Sequence, residues 1–300
     1  MSTPLSRRDL LRSAAMTVAA LSLPDIDPNL DPDHARLAAW TAALRAYGQS
    51  RPRAPLGSDA IRVGELAIGT PYEAFTLEAY LRAGGDPRRA EPLTLSLTRF
   101  DCVSLVEACV AVARVAESDG APTWERFGRE VERMRYRGGE RGSYTSRLHY
   151  FSEWIADGDR RGLLRDMGAE LGGAEDARPL RFMTEHRGSY PALAHEKVFR
   201  EIGATERRLD GRFRRVIPTE RISEVSARIE TGDVLAFATA TPGLDVTHAA
   251  FAYRDRSGVL RVLHAPLSGG AVEVSRAPLP EYVAAIRRST GILVARPLRG

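Results

Sequence analysis

Cys102 is the strongest candidate for a nucleophile in this sequence. It follows Arg99-Phe100-Asp101 and opens an apolar stretch, Cys102 to Ala116, that lacks Gly and Pro and is typical of a buried helix. The free N–H groups and partial positive charge of a helix N-terminus favour a thiolate, so we expect a lowered thiol pKa. The same N–H groups could stabilise an oxyanion on a substrate carbonyl. From position alone, a small buried hydrophobic role is the alternative.

The second cysteine, Cys109, lies two helical turns further along the same stretch. Two turns separate the residues by about 10.5 Å, which is too far for a disulfide. We therefore expect both thiols to be free and Cys109 to be an ordinary buried residue.

A thiolate nucleophile needs an imidazole to take and return its proton, and His248 and His264 are candidates for this role. They lie in neighbouring β-type runs joined by Asp255-Arg256-Ser257-Gly258. A three-residue loop with a left-handed Gly258 pairs His264 with Ala250 and puts both rings on one sheet face, with Cα atoms about 7–8 Å apart along the diagonal and side chains able to touch. A two-residue loop would put the rings on opposite faces. One ring could act as the base and the other could orient it; a metal-binding pair and chance proximity remain open here.

The composition is that of an ordinary globular protein. The chain has 300 residues, of which 43% are hydrophobic and 27% charged. No run of about 18 apolar residues is present, which excludes a multi-pass membrane protein. Two cysteines exclude a disulfide scaffold and a four-cysteine zinc site.

The net charge is +4, and Lys197 is the only lysine. The arginines are scattered among 39 acidic residues without a basic stripe, so we expect no nucleic-acid partner. A mildly basic surface suits an anionic polymer. No protein partner is indicated.

The N-terminus has the pattern of an export signal. Arg7-Arg8 precedes Leu10-Leu11 and a short apolar run that ends at Pro24. We predict that residues 1–24 are a twin-arginine-type signal, that the protein is exported to the periplasm or cell envelope, and that no stable membrane insertion remains after cleavage. Residues 25–57 are predicted as a linker and an N-terminal helix, and residues 58–300 as one catalytic domain with a helical insertion around 120–210.

The order of the predicted elements indicates an α+β fold. Helical periodicity dominates up to about residue 210, whereas short β-type runs separated by turns follow from Val234 onwards. Turns rather than long helices connect these runs, which favours antiparallel pairing and argues against a doubly wound parallel sheet.

Several motifs in this order resemble the NlpC/P60 superfamily of papain-like cell-wall cysteine hydrolases. More narrowly, the chain is similar to the N-acetylmuramoyl-L-alanine amidase-like branch. The matching pieces, which span about residues 58–296, are Gly69-Thr70-Pro71-Tyr72, Glu91-Pro92-Leu93, Phe100-Asp101-Cys102-Val103, Ser146 to Phe151, Gly232 to Phe237, Gly243 to His248 and Leu263-His264-Ala265.

The resemblance implies a papain-like fold, with an antiparallel sheet or barrel packed against the nucleophile helix and with extra N-terminal and inserted helices. It implies Cys102 as nucleophile, His248 as general base and acid, and His264 as the orienting third member. It places Tyr72 at the site, where its hydroxyl could bind the tetrahedral intermediate. It also implies five further pocket residues, namely Asp101, Ser104, Arg147, His149 and Asp245. The loop after Tyr72 departs from the family pattern, because Glu73-Ala74-Phe75 stands where a smaller, Gly-bearing turn is expected.

The implied reaction is hydrolysis of an amide in peptidoglycan or a muropeptide through an acyl-enzyme, without a metal or organic cofactor. The bond is the N-acetylmuramoyl-L-alanine amide in this branch, and the γ-D-glutamyl bond of the stem peptide is the alternative. Three other functions are weighed against this one: a metal-dependent hydrolase using Cys102, His248 and His264 as zinc ligands, a non-catalytic wall-binding protein, and an acyl transferase acting on lipid.

Overall fold

The protein is described by a computed structural model that covers residues 31–49, 54–212, 214–268 and 270–299. The predicted export signal, residues 1–24, and the first part of the predicted linker lie outside the described residues. No helix in the described ranges is long and apolar enough to span a membrane.

The helices begin with the predicted N-terminal helix and end with one short helix late in the chain. Those of the described residues are α1 (Pro32–Gln49), α2 (Leu56–Leu66), α3 (Ala79–Arg82), α4 (Cys102–Glu117), α5 (Trp124–Arg135), α6 (Phe151–Arg160), α7 (Phe182–Glu185), α8 (Glu196–Leu209), α9 (Ile222–Val225) and α10 (Leu279–Ala285).

The strands form one antiparallel sheet of eight strands, ordered β2-β3-β8-β4-β5-β6-β7, with β1 also pairing with β8. The fold is therefore α+β with an antiparallel sheet, as predicted. The strands are β1 (Leu164–Asp166), β2 (Ala174–Asp176), β3 (Arg214–Pro218), β4 (Val234–Thr239), β5 (Val246–Arg254), β6 (Leu260–His264), β7 (Glu273–Val274) and β8 (Ser289–Pro297).

The sheet is covered on both faces, which explains the continuous apolar run of β4. Ala236 and Phe251 face the larger core, which contains the buried side chains of α4. Leu235 and Phe237 face a second core together with Leu279 of α10. A strand buried on both faces loses the polar alternation of a half-exposed strand, because neither face meets water.

The predicted insertion has its own small core, in which Tyr150, Leu193 and Ile202 are buried. It is not purely helical, however. Strands β1 and β2 lie within it and join the main sheet through β8 and β3. These strands have only three residues each, too few to show the two-residue alternation from which a strand is predicted.

Candidate functional site

Cys102 is the first residue of α4, and a capping box fixes this helix start. The Oδ1 atom of Asp101 accepts a hydrogen bond from the Ser104 N–H at 2.7 Å, and the Ser104 Oγ accepts one from the Asp101 N–H at 2.9 Å. These reciprocal bonds satisfy two N–H groups that the helix itself leaves free. Asp101 and Ser104 therefore stabilise the start of the helix that carries Cys102.

The electrostatic environment of the Cys102 thiol differs from the expectation. Burial, followed by the negative charge of Asp101, raises the pKa of this thiol to about 12. The N–H groups of Ala249, Cys102 and Val103 lower its pKa, but less strongly. The expectation of a lowered pKa was therefore wrong, because desolvation of the charged form outweighs the helix N-terminus.

Tyr72 lies within electrostatic reach of this thiol. Its phenol pKa is raised first by burial and then by the charges of Cys102 and Asp101. The backbone holds Tyr72 in place, since the Tyr72 N–H donates to the Gly270 carbonyl at 2.9 Å and Tyr72 forms a parallel bridge with Phe100. Tyr72 and strand β5, which carries His248, therefore both meet the start of α4.

The loop after Tyr72 has an unusual backbone. Phe75 has φ +60°, a left-handed conformation that favours glycine, and its side chain is 61% exposed. A glycine-bearing turn was expected here. The position does have the geometry that a glycine would satisfy, although a phenylalanine occupies it.

His248 and His264 are directly hydrogen-bonded. The distance from His248 Nε2 to His264 Nδ1 is 2.8 Å, and the ring planes are nearly perpendicular at 79°. The predicted register is confirmed, since Phe251 pairs with Leu263 and Gly258 has a left-handed φ of +84°. A slip of one residue would have put the two rings on opposite faces of the sheet.

Both rings of this pair are neutral at neutral pH. Burial, followed by the charge of His264, lowers the pKa of His248 to about 3, and burial lowers the pKa of His264 to about 4. Among the described residues, the buried Nε2 atom of His264 has no hydrogen-bond partner, and a carboxylate oxygen of Glu273 lies 3.9 Å away. A neutral imidazole is the form that can accept a proton.

Two aromatic residues that sequence reasoning missed enclose the pair. The Tyr282 hydroxyl lies 3.4 Å from His264 Nδ1, and the Tyr282 ring meets the His264 ring edge-on. Phe237 contacts both His248 and Tyr282, with ring centroids 5.6 Å apart in each case. No local signal indicates them, because Tyr282 reaches the pair from α10 and Phe237 lies in a uniformly apolar strand.

The Cys102 thiol meets the strand of His248 through the backbone and not through a ring. Within the described ranges, no hydrogen bond joins Cys102 Sγ to either ring, while one of the N–H groups that act on the sulfur belongs to Ala249, the residue after His248. The structure therefore brings the start of α4 next to the strand that carries His248.

Arg147 and His149 belong to a buried network rather than to the immediate surroundings of Cys102. Arg147 forms an ion pair with Glu78 and lies 3.8 Å from Glu91. His149 Nε2 lies 2.9 Å from the Tyr144 carbonyl oxygen, and burial, followed by the charge of Arg147, lowers its pKa far below the usual value. These contacts hold the segment before α6 against the loop that follows Tyr72.

Asp245 is buried at the start of β5, and burial raises its pKa. Its Oδ2 accepts a hydrogen bond from the Ser152 N–H in the first turn of α6, and its Oδ1 accepts one from the Val246 N–H, both at 2.8 Å. Asp245 thus ties α6 to the strand that carries His248. In the part of the chain that the structure describes, no three His, Cys, Asp or Glu side chains are grouped to hold a metal ion.

One family model and several solved structures are similar to this chain. A model of the family described as N-acetylmuramoyl-L-alanine amidase-like matches residues 62–292. A crystal structure of an N-acetylmuramoyl-L-alanine amidase from Bacteroides uniformis is 30% identical, with a TM-score of 0.73 over 81% of this chain and 98% of that chain. A Bacteroides fragilis protein that carries a xylanase name is 32% identical, with a TM-score of 0.71 over 78% and 99% of the two chains.

A Legionella pneumophila protein at 20% identity, with a TM-score of 0.60 over 86% and 94% of the two chains, shares the fold alone. No curated protein matches the chain. The match of the family model extends over most of the sequence and includes Tyr72, Cys102, His248 and His264. The chain belongs to the N-acetylmuramoyl-L-alanine amidase-like family.

Proposed function

We propose that this protein is a cysteine-dependent peptidoglycan amidase with the papain-like fold of the NlpC/P60 superfamily, cleaving the bond between the muramic lactyl group and L-alanine. The observation that carries the proposal is the meeting of Cys102, at the start of α4, with Tyr72 and with strand β5, whose His248 is hydrogen-bonded to His264 of β6. The name of the Bacteroides uniformis relative supports this amide as the substrate bond.

The first half of the reaction forms an acyl-enzyme. The Cys102 sulfur attacks the amide carbonyl carbon while the thiol proton passes to His248, and the carbonyl oxygen becomes an oxyanion. N–H groups at the start of α4 and the Tyr72 hydroxyl stabilise this oxyanion. The C–N bond then breaks, His248 gives its proton to the departing L-alanine nitrogen, and a thioester to Cys102 remains.

The second half returns the enzyme to its starting state. A water molecule attacks the thioester carbonyl while His248 takes one of its protons. The C–S bond breaks, the sulfur recovers the proton, and the lactyl carboxylic acid leaves. No metal or organic cofactor takes part in this scheme.

The raised thiol pKa and the lowered imidazole pKa support a proton transfer that takes place within the chemical step. A thiol with a pKa of about 12 and an imidazole with a pKa of about 3 do not form an ion pair in the empty site. The proton therefore moves as the sulfur attacks. When His248 Nε2 donates to His264 Nδ1, the Nδ1 atom of His248 is left as the acceptor for the thiol proton.

The test is the digestion of purified peptidoglycan, followed by mass spectrometry of the products. We expect the wild type to release intact stem peptides that begin with L-alanine, and Cys102→Ala and His248→Ala each to lose at least about 10³-fold of this activity. Cys109→Ala is the matched control and should keep the activity, because Cys109 is a buried residue of the same helix.

Other products would change the assignment. Release of a shortened peptide lacking its first two residues would identify the γ-D-glutamyl bond as the target. Activity that survives in Cys102→Ala would refute cysteine chemistry. Absence of any cleaved amide, with wall binding retained, would support a non-catalytic protein.

We further propose that residues 1–24 direct export, which would bring the domain of residues 58–300 to its substrate in the cell envelope. Replacement of Arg7 and Arg8 by Lys should then retain the protein in the cytoplasm. Unchanged export of that variant would contradict a twin-arginine signal.

A further inference from the structure

A concave site in the insertion uses none of the candidate catalytic residues. It is a cavity of about 380 Å³ between α6, the end of α8 and the start of β3. This volume is within the range of small-ligand pockets. Its lining contains five arginines and two carboxylates, a surplus of three positive charges; the arginines are Arg137, Arg160, Arg208, Arg212 and Arg214, and the carboxylates are Glu153 and Asp157.

Each lining carboxylate is shared between two arginines. Glu153 accepts hydrogen bonds from Arg137 Nε at 2.8 Å and from Arg208 Nη2 at 3.0 Å. Asp157 pairs with Arg160 and, at 3.0 Å, with Arg161. One positive charge in each group is therefore left without a balancing negative charge.

Two arginines also share one carboxylate at the third wall of the cavity. Arg214 and Arg178 share the carboxylate of Asp176, with distances of 3.0 and 2.7 Å. The Arg214 side chain is only 6% exposed, and its Nε has no hydrogen-bond partner within the described residues. A buried donor without an acceptor is costly for a fold that has no other use for it.

Arg212 is the remaining arginine of the lining. It is exposed at the rim of the cavity, and none of the ion pairs or side-chain hydrogen bonds of the described residues involves it. Each uncompensated guanidinium repels the others, so a surplus of arginines is unfavourable unless an anion offsets it. Among the described residues, three carboxylates pair with six arginines, Asp245 acts electrostatically on Arg178 and Arg214, and Arg212 has no partner.

We propose that this cavity, which we call the insertion pocket, binds a multiply charged oxyanion whose charges are phosphate groups or clustered carboxylates. The planar guanidinium fork binds both groups with paired hydrogen bonds. A bound oxyanion would supply the negative charge that the lining lacks. This proposal does not depend on the chemistry of Cys102.

The test is calorimetric titration of the full chain with three probes: pyrophosphate, inorganic phosphate and citrate. We expect saturable binding of pyrophosphate or citrate with a Kd of about 1 mM or tighter. A preference for pyrophosphate would identify phosphate as the ligand chemistry, and a preference for citrate would identify clustered carboxylates. Absence of saturable binding for all three probes would overturn the proposal.

Variants locate the binding. Arg208→Gln and Arg212→Gln should each weaken it about tenfold or more, because each removes one charge-assisted contact while Glu153 keeps Arg137 as a partner. Arg287→Gln is the matched control, since Arg287 is an exposed arginine outside the pocket lining. Equal affinity in the control and in both pocket variants would refute the insertion pocket as the site, and unchanged circular dichroism will verify that the variants fold.

Discussion

Cys102 should react slowly with alkylating agents in the absence of substrate. Only the thiolate reacts, and the raised pKa of about 12 leaves a thiolate fraction of about 10⁻⁵ at pH 7. A free cysteine with a pKa of about 8.5 has a fraction of about 3% at the same pH. The difference in thiolate population is therefore about 3 × 10³.

Part of this difference is offset by nucleophilicity. A thiolate of higher pKa is intrinsically more reactive, with a Brønsted coefficient of about 0.4–0.5, which returns about 40-fold over a pKa difference of about 3.5. The expected net effect is alkylation about 10²-fold slower than that of a free thiol at pH 7. The rate should rise about tenfold per pH unit up to about pH 11.

The assay is intact-mass measurement of iodoacetamide labelling between pH 6 and 10, with free cysteine measured in parallel. Cys109→Ala is the background, so that Cys102 is the only thiol. His248→Gln should keep the slow rate and its pH slope, because His248 is neutral and makes no hydrogen bond to the thiol. Fast labelling that does not change with pH, and that is lost in His248→Gln, would reveal a thiolate–imidazolium pair and refute the reasoning from burial.

Two predictions concern the free energy of unfolding and depend on buried titratable groups. The folded pKa values of His248 and His264 are depressed, so the unfolded state takes up protons first as the pH falls. The free energy of unfolding should therefore fall below about pH 6.5, by about 1.4 kcal/mol per pH unit for each ring. Urea unfolding from pH 7 to 4.5 measures this slope, and an identical slope in His264→Asn would contradict the prediction. Glu107 is 1% exposed and lies 2.8 Å from Arg135, so Glu107→Gln should lower the free energy of unfolding by about 3–5 kcal/mol. Glu132→Gln, in the exposed ion pair with Arg141, should lower it by less than about 1 kcal/mol. Equal unfolding midpoints for these two variants would exclude a special role for the buried pair.

The parts of the site that follow local rules could be predicted from the sequence. The start of α4 at Cys102 follows from an N-cap aspartate before an apolar run, and the pairing of β5 with β6 follows from the loop that ends in Gly258. Both are set by residues within a few positions of each other, where turn and cap geometry leaves few choices.

Properties of the site that depend on residues far apart in the sequence could not be predicted. The pKa of Cys102 is set by burial under other elements, and Tyr282 reaches His264 from a helix that follows in the chain. Likewise, the sequence alone gave no sign that Asp245 accepts a hydrogen bond from α6. Such properties arise only when the elements pack, because solvent exclusion and long-range contacts are not encoded in local spacing.

The hydrogen bond from Ser152 to Asp245 has a mechanical consequence. Ser152 lines the insertion pocket, while Asp245 precedes His248 by three residues on the same continuous segment. A single carboxylate thus links a wall of the insertion pocket to the backbone that leads to His248. Displacement of α6 would pull on that backbone, so that slower amide hydrogen exchange at Ser152 on anion binding would reveal a rigidity shared by the insertion pocket and the segment before His248.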